Sequence, residues 1–340
     1  MRRTLENRLE ELCRKFGYAP YKMSRFEEYE LYVRNKDFLQ SDRVITFSGA
    51  DGRLLAMKPD VTLSIVKNAP ETPGAVRKVH YRENVYRQDR DGGNFREILQ
   101  AGIECVGDVG SYEIAEVVYL AAKSLEAIGP GTILSLSHVG LIREALEQSG
   151  LPESARKQAL DCLARKREQE LKALCAENGA DDRQLLTLLG ARTIGELDAL
   201  ADCPALAELR QIVALLDGEQ VRLDFSLGND MKYYSGLVFQ GYVRGVPASV
   251  LSGGQYDRLL SHMGKKARAI GFAVYLDRLS AYSEGWDVDT LLLTGDAGPA
   301  QILAAAERLP GSVLAAKSEP ADRTWKRKAI LEDGEVRYLD

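Results

Sequence analysis

The sequence predicts an α+β fold: an antiparallel sheet flanked by helices, with a helical insertion and a short α/β tail at the C-terminus. Three observations predict it. Short strand-like runs with Gly-, Asp- and Pro-rich linkers fill much of residues 43–107 and return after residue 220. A block from Leu151 to about Gly218 is rich in Ala, Leu, Glu, Arg, Gln and Lys and poor in β-branched residues, which reads as all-helical. Strand signals resume after that block, so it is an excursion from one sheet, and strands segregated from helices indicate an α+β core.

The elements follow in order. Leu5, Leu9, Leu12 and Phe16 form one stripe of an amphipathic helix, with Thr4 as N-cap and Gly17 as its stop. RVITFSG, RLLAM, AVRKVHYREN and GIECVG read as strands. Ser111 to Ile128 is a second helix, with Ile114, Val117, Val118, Ala121, Leu125 and Ile128 on one face and Gly129-Pro130 ending it. TILSLS is a strand and His138 to Gly150 a helix. After the helical block, VRLDFSL, YYSGLVFQGYV, SVLSGG and AIGFAVYLDRLSAY carry strand character. The tail reads strand (TLLLTG), helix (PAQILAAAERL), strand (SVLAAK), helix (DRTWKRKAIL), strand (VRYL). This divides the chain into a core in two parts, 1–134 and 220–286, an insertion at 135–219 and a tail at 287–340.

Composition narrows the function. The 340 residues are 45% apolar and 28% charged, enough for a large core without staples. With 45 Lys+Arg against 50 Asp+Glu, the formal charge of -5 argues against a strongly basic nucleic-acid surface. No apolar run is long enough to span a membrane, and the N-terminus lacks a signal-peptide core, so a cytoplasmic protein is expected. Five cysteines without CxxC spacing read as free thiols. Three dispersed histidines suggest no metal site.

Five segments bear chemistry. MKPDVT sets Lys58, Pro59, Asp60 and Thr62 together; Asp60 could accept from an α-ammonium, or the segment is a polar turn before a capped helix. In Val85 to Gly107, Arg87 ends one strand-like run. Arg96, Gln100, Gly102 and Glu104 then stand at even spacings, on one face of a strand. Such a row is costly to bury without a ligand, unless it edges onto water. Tyr233 and Tyr234 in LGNDMKYYSGLVFQGY could wall a pocket for a flat group or simply cover a sheet end. LSGGQYDRLL permits close backbone approach at Gly253-Gly254. AIGFAVYLDRLSAY places Arg278 at the end of an apolar segment.

In this order the five segments resemble the catalytic core of class II histidyl-tRNA synthetases, over roughly residues 1–285. Val85 to Gly107 is similar to that class's second signature, AIGFAVYLDRL to its third, and LGNDMKYYSGLVF and LSGGQYD to two histidine-specific segments. The resemblance implies a six- or seven-stranded antiparallel sheet and a homodimer. It implies that Asp60 and Thr62 meet a histidine ammonium and Arg87 its carboxylate or a phosphate. Gln100 and Glu104 would line the amino-acid pocket, Tyr233, Tyr234 and Tyr256 surround the imidazole, and Arg278 sit at the nucleotide.

The departures from that pattern fall on the nucleotide side. Asn229, Asp230, Met231 and Lys232 stand where the synthetases have Arg, Gly, Leu and Asp before the tyrosine pair. Losing such a preorganised arginine lowers rate by roughly 10² to 10³. Tyr275 replaces a glycine, Asn94 and Gln255 replace arginines, and Lys58 and Asp60 replace an arginine and a glutamate. The tail is shorter than an anticodon-binding domain. These features resemble the family of regulatory subunits of ATP phosphoribosyltransferase. The resemblance implies a non-catalytic chain without a cofactor that activates the short-form catalytic subunit in the first step of histidine biosynthesis. It also implies a homodimer within a hetero-octamer, with L-histidine as a ligand and no tRNA. The alternative is a divergent enzyme that adenylates an amino acid for a non-tRNA acceptor.

Overall fold

A computed structural model describes residues 2–39, 43–70, 72–88, 94–216, 220–229, 233–279 and 288–339. The chain divides into two compact units, Glu6–Arg278 and a smaller one comprising Met1–Leu5 with Leu279–Asp340.

The N-terminal helix α1 (Arg2–Lys15) begins two residues ahead of Thr4, which is therefore inside it and not its cap. Leu9 and Cys13 bury its inner face, and Gly17, at φ +80°, ends it. A short strand β1 (Ala19–Pro20) follows. Next comes a three-stranded antiparallel sheet of β2 (Phe26–Glu28), β3 (Thr46–Ser48) and β4 (Leu54–Met57), with β4 central and α2 (Tyr29–Arg34) between the first two. Helix α3 (Thr62–Val66) is wholly buried.

The main sheet is built on a long hairpin, β5 (Val76–Gln88) and β6 (Phe95–Gly107), paired from Val76↔Gly107 to Gln88↔Phe95. Helix α4 (Ser111–Ile128) leads to β7 (Thr132–His138). Its six apolar positions from Ile114 to Ile128 are all buried, as its periodicity predicts. Then come α5 (Val139–Gln148), α6 (Glu153–Ala164), α7 (Glu168–Glu177), α8 (Arg183–Gly190) and α9 (Pro204–Ala214). The chain re-enters the sheet at β8 (Val221–Leu223), β9 (Leu237–Val243), β10 (Leu251–Gln255) and, after α10 (Asp257–His262), β11 (Arg268–Tyr275). The strand order is β1-β5-β6-β11-β10-β9-β7-β8. The six inner strands are antiparallel; β1 and β8 add one parallel partner at each edge, making eight strands where six or seven were expected.

The smaller unit contains β12 (Val288–Leu293), α11 (Pro299–Arg308), β13 (Val313–Ala316), β14 (Trp325–Glu332) and β15 (Glu335–Tyr338), in the order β13-β12-β14-β15. The expected helix over DRTWKRKAIL is instead strand β14, parallel to β12 and antiparallel to β15. Its Ala329 and Leu331 alternate into a core with Leu292, Ala305 and Leu309, a two-residue period that outweighs the helix propensity of its Lys, Arg and Ala.

Candidate functional site

One face of the inner strands carries the site. Glu104, Gly102 and Gln100 of β6 lie opposite Gly271, Ala273 and Tyr275 of β11, and Gly102 lies opposite Tyr81 of β5. The alternation expected for this strand therefore holds from Gln100 to Glu104, both buried, while Arg96 is exposed and stands outside the site. The cavity on this face is about 100 Å³. Asp60, Thr62, Arg87, Gln100, Glu104, Tyr233, Tyr234 and Tyr256 all line it, together with Tyr275.

Glu104 is the deepest charge-bearing group in the cavity lining, 2% exposed. Thr62 Oγ1 donates to its Oε1 at 2.7 Å, and the Tyr256 hydroxyl donates to its Oε2. Burial pushes its carboxyl up to about 8, the two hydroxyls pull it down, and nearby Asp60 adds to the rise. The carboxylate fits because Gly271 has no side chain: a Cβ there would stand 1.8 Å from Glu104 Oε2.

MKPDVT is both a helix start and a wall of the cavity. Asp60 Oδ1 accepts from the Leu63 amide at 2.9 Å, which caps α3 and frees Thr62 to reach Glu104. Burial raises the Asp60 carboxyl, while Arg87 and the backbone amides oppose that rise. Arg87 Nε donates to Pro59 O at 2.7 Å, and its Nη2 lies 3.6 Å from Asp60 Oδ2. Lys58 is not in the cavity. It is 1% exposed, forms an ion pair with Glu83 of β5, and its carbonyl accepts from the Tyr86 amide at 3.0 Å. These bonds pin the loop that presents Asp60.

Aromatic rings close the opposite side. Tyr233 meets Tyr234 edge-on at 4.8 Å between centroids and lies 6.0 Å from both Tyr256 and Phe38. Burial drives the Tyr233 and Tyr256 phenols well above their ordinary range, so both remain hydroxyl donors. The buried Glu104 carboxyl, the partly buried Asp60 carboxyl, one guanidinium, one carboxamide and five phenols around a small cavity suit a compact, polar, amine-bearing molecule.

The residues expected at a nucleotide are differently disposed. Arg278 does not line the cavity; its guanidinium lies over the Tyr275 ring, 4.1 Å from the centroid, and donates to Ser249 O. Asn229 ends a 3₁₀ turn (Phe225–Asn229), and Lys232, with Asp230 and Met231, falls outside the described residues. Gln255 is a structural group: its Oε1 accepts from the Leu237 amide at 2.5 Å. Asn94 is exposed ahead of β6. Sequence reasoning passed over Tyr81, Ser252, Asp37 and Phe38, which also line the cavity. For Tyr81 the missing signal was the hairpin register that sets it opposite Gly102.

Among the described residues no group of three or more His, Cys, Asp or Glu is placed to hold a metal, and no helix is long and apolar enough to cross a membrane. The five cysteines are unpaired thiols.

The family model of histidyl-tRNA synthetase matches residues 1–279. The chain belongs to the histidyl-tRNA synthetase family. Within this family it is 30% identical to the ATP phosphoribosyltransferase regulatory subunit of Thermus thermophilus, over 87% of this chain and 81% of that one. It is 28% identical to the histidine–tRNA ligase of Methanosphaerula palustris, over 82% of this chain and 70% of that one. A chain of the ATP phosphoribosyl transferase (HisG:HisZ) complex from Thermotoga maritima shares the fold, with a TM-score of 0.66 and 19% identity over 80% of this chain and 96% of that one. The family's synthetase-like α+β fold is thus the fold of residues up to Leu279.

Proposed function

We propose that this chain is a regulatory subunit of ATP phosphoribosyltransferase, acting in the first step of histidine biosynthesis. It binds the short-form catalytic subunit, raises its activity and helps transmit inhibition by L-histidine. As a homodimer it joins the catalytic chains in a hetero-octamer in the cytoplasm. The observation that carries the reading is the contrast within one site. The residues around the amino-acid cavity are assembled, while Arg278 is laid on Tyr275 and tied to Ser249. A guanidinium committed to an internal ring and a carbonyl is not presented to a purine.

Histidine would place its ammonium at Asp60 and Thr62, its carboxylate toward Arg87 and Gln100, and its imidazole between Glu104 and Tyr256. Feedback then follows by linkage: histidine must favour one state of the assembly by a coupling of about 1–3 kcal/mol. The test is to mix the purified chain with a short-form catalytic subunit and follow phosphoribosyl transfer. Activation, reversed by histidine, supports the reading; a catalytic subunit indifferent to this chain overturns it.

A second reading, a divergent amino-acid-adenylating enzyme, is favoured by the relatives named histidine–tRNA ligase and by the retention of Arg87 and Arg278. Histidine-dependent ATP–pyrophosphate exchange by the chain alone would decide for it.

A further inference from the structure

A second cavity lies on the other face of the main sheet. It measures about 310 Å³, against about 100 Å³ for the first. That is the lower end of the roughly 300–1,000 Å³ of small-molecule sites. Its walls are α1, the back of β5, β6 and β11, and Ser124 of α4. Ala101 and Ile103 line it together with Gly102, and they alternate along β6 with the Gln100 and Glu104 of the front cavity. The sheet is crowded at Gly102, where a Cβ would stand 2.3 Å from Phe272 O and 2.6 Å from the Tyr81 hydroxyl.

The lining has two characters. Leu9, Ile103, Phe272 and Val274 give an apolar wall the size of a small ring. The polar side carries the carboxylates of Glu6 and Glu10, the Arg82 guanidinium and the His80 imidazole. Glu6 pairs with Arg82 at 2.9 Å, and Glu10 with Arg14, outside the lining, at 2.7 Å. His80 is only 8% exposed, and its Nε2 has no hydrogen-bond partner. Burial lowers its pKa, which keeps the ring neutral and able to accept a proton donor.

We propose that this rear cavity is a second ligand site, for a small amine carried on an apolar, ring-sized body. The ring packs on Leu9, Ile103, Phe272 and Val274. The ammonium donates to His80 Nε2 in a field of two carboxylates and one guanidinium. Nothing in this assignment depends on what the front cavity holds.

The test is calorimetric titration of the full chain with phenethylamine near neutral pH, with phenylacetate as the anion of the same body. The amine should bind saturably and the acid should not. Ala101→Leu, which fills the cavity, and His80→Leu, which removes the nitrogen, should each weaken binding roughly tenfold or more. His80→Gln, which restores a polar end, should regain part of it. Nuclear Overhauser contacts from the amine's ring to the Ile103 and Val274 methyls of the unaltered chain give a readout that needs no variant. Absence of both heat and contacts, equal binding of amine and acid, or full affinity in a folded Ala101→Leu chain would each overturn the site.

Discussion

Glu104 decides the chemistry of the front cavity at the level of single residues. It is buried, held by two hydroxyls, and close to a second, partly buried carboxyl, Asp60. A ligand bearing N–H groups relieves that arrangement, so Glu104→Gln should weaken histidine binding by roughly tenfold or more, read by calorimetry. The same residue sets a pH dependence. Its carboxyl titrates at about 8 in the fold against an ordinary 4.5. The folded chain therefore holds this proton more tightly than the unfolded one. Its contribution to stability is complete below 4.5 and is lost as pH rises to about 8. The melting temperature of the ligand-free chain should fall across that window, and Glu104→Gln should flatten the fall. An unaltered slope in the variant would assign it to another group.

Among the elements, the loop between β4 and α3 depends on an ion pair between the buried Lys58 and the largely covered Glu83. Breaking one partner leaves the other charge buried, so Lys58→Ala should destabilise the chain by about 3 kcal/mol in urea. The double change Lys58→Met with Glu83→Leu should recover much of that loss, and no recovery would mean that the pair does more than compensate charge. The elements also show what a sequence can reveal. Helix α4 was legible because six apolar side chains repeat at helical spacing with a glycine stop. The Gln100–Glu104 stretch of β6 was legible because polar residues at period two have no reason to be there unless something polar faces them. Strand β14 was not, because WKRKAIL is composed of good helix formers. Its inward Arg327 buries a stem and not an apolar side chain, which hides the alternation. The roles of Gly102 and Gly271 were not legible either. What crowds them comes from Tyr81, Phe272 and Glu104 on neighbouring strands, and only the register brings those together.

Across the whole molecule, every residue lining the front cavity belongs to the unit Glu6–Arg278, and the smaller unit has its own core of Leu292, Ala305, Leu309, Ala329 and Leu331. A chain ending at Arg278 should therefore keep its histidine affinity within about twofold, since every side chain that lines the cavity is retained. A large loss on titration would tie the tail to the site. The contact between Gly271 and Glu104 has a historical corollary. The carboxylate occupies the volume that any side chain at 271 would claim, so neither position drifts alone. A lineage that first placed alanine at 271 would have lost the acid at 104. One that first shortened that acid would still meet the Ile103 carbonyl 2.5 Å from the new Cβ, so the neighbouring strand's backbone as well as the acid holds position 271 at glycine.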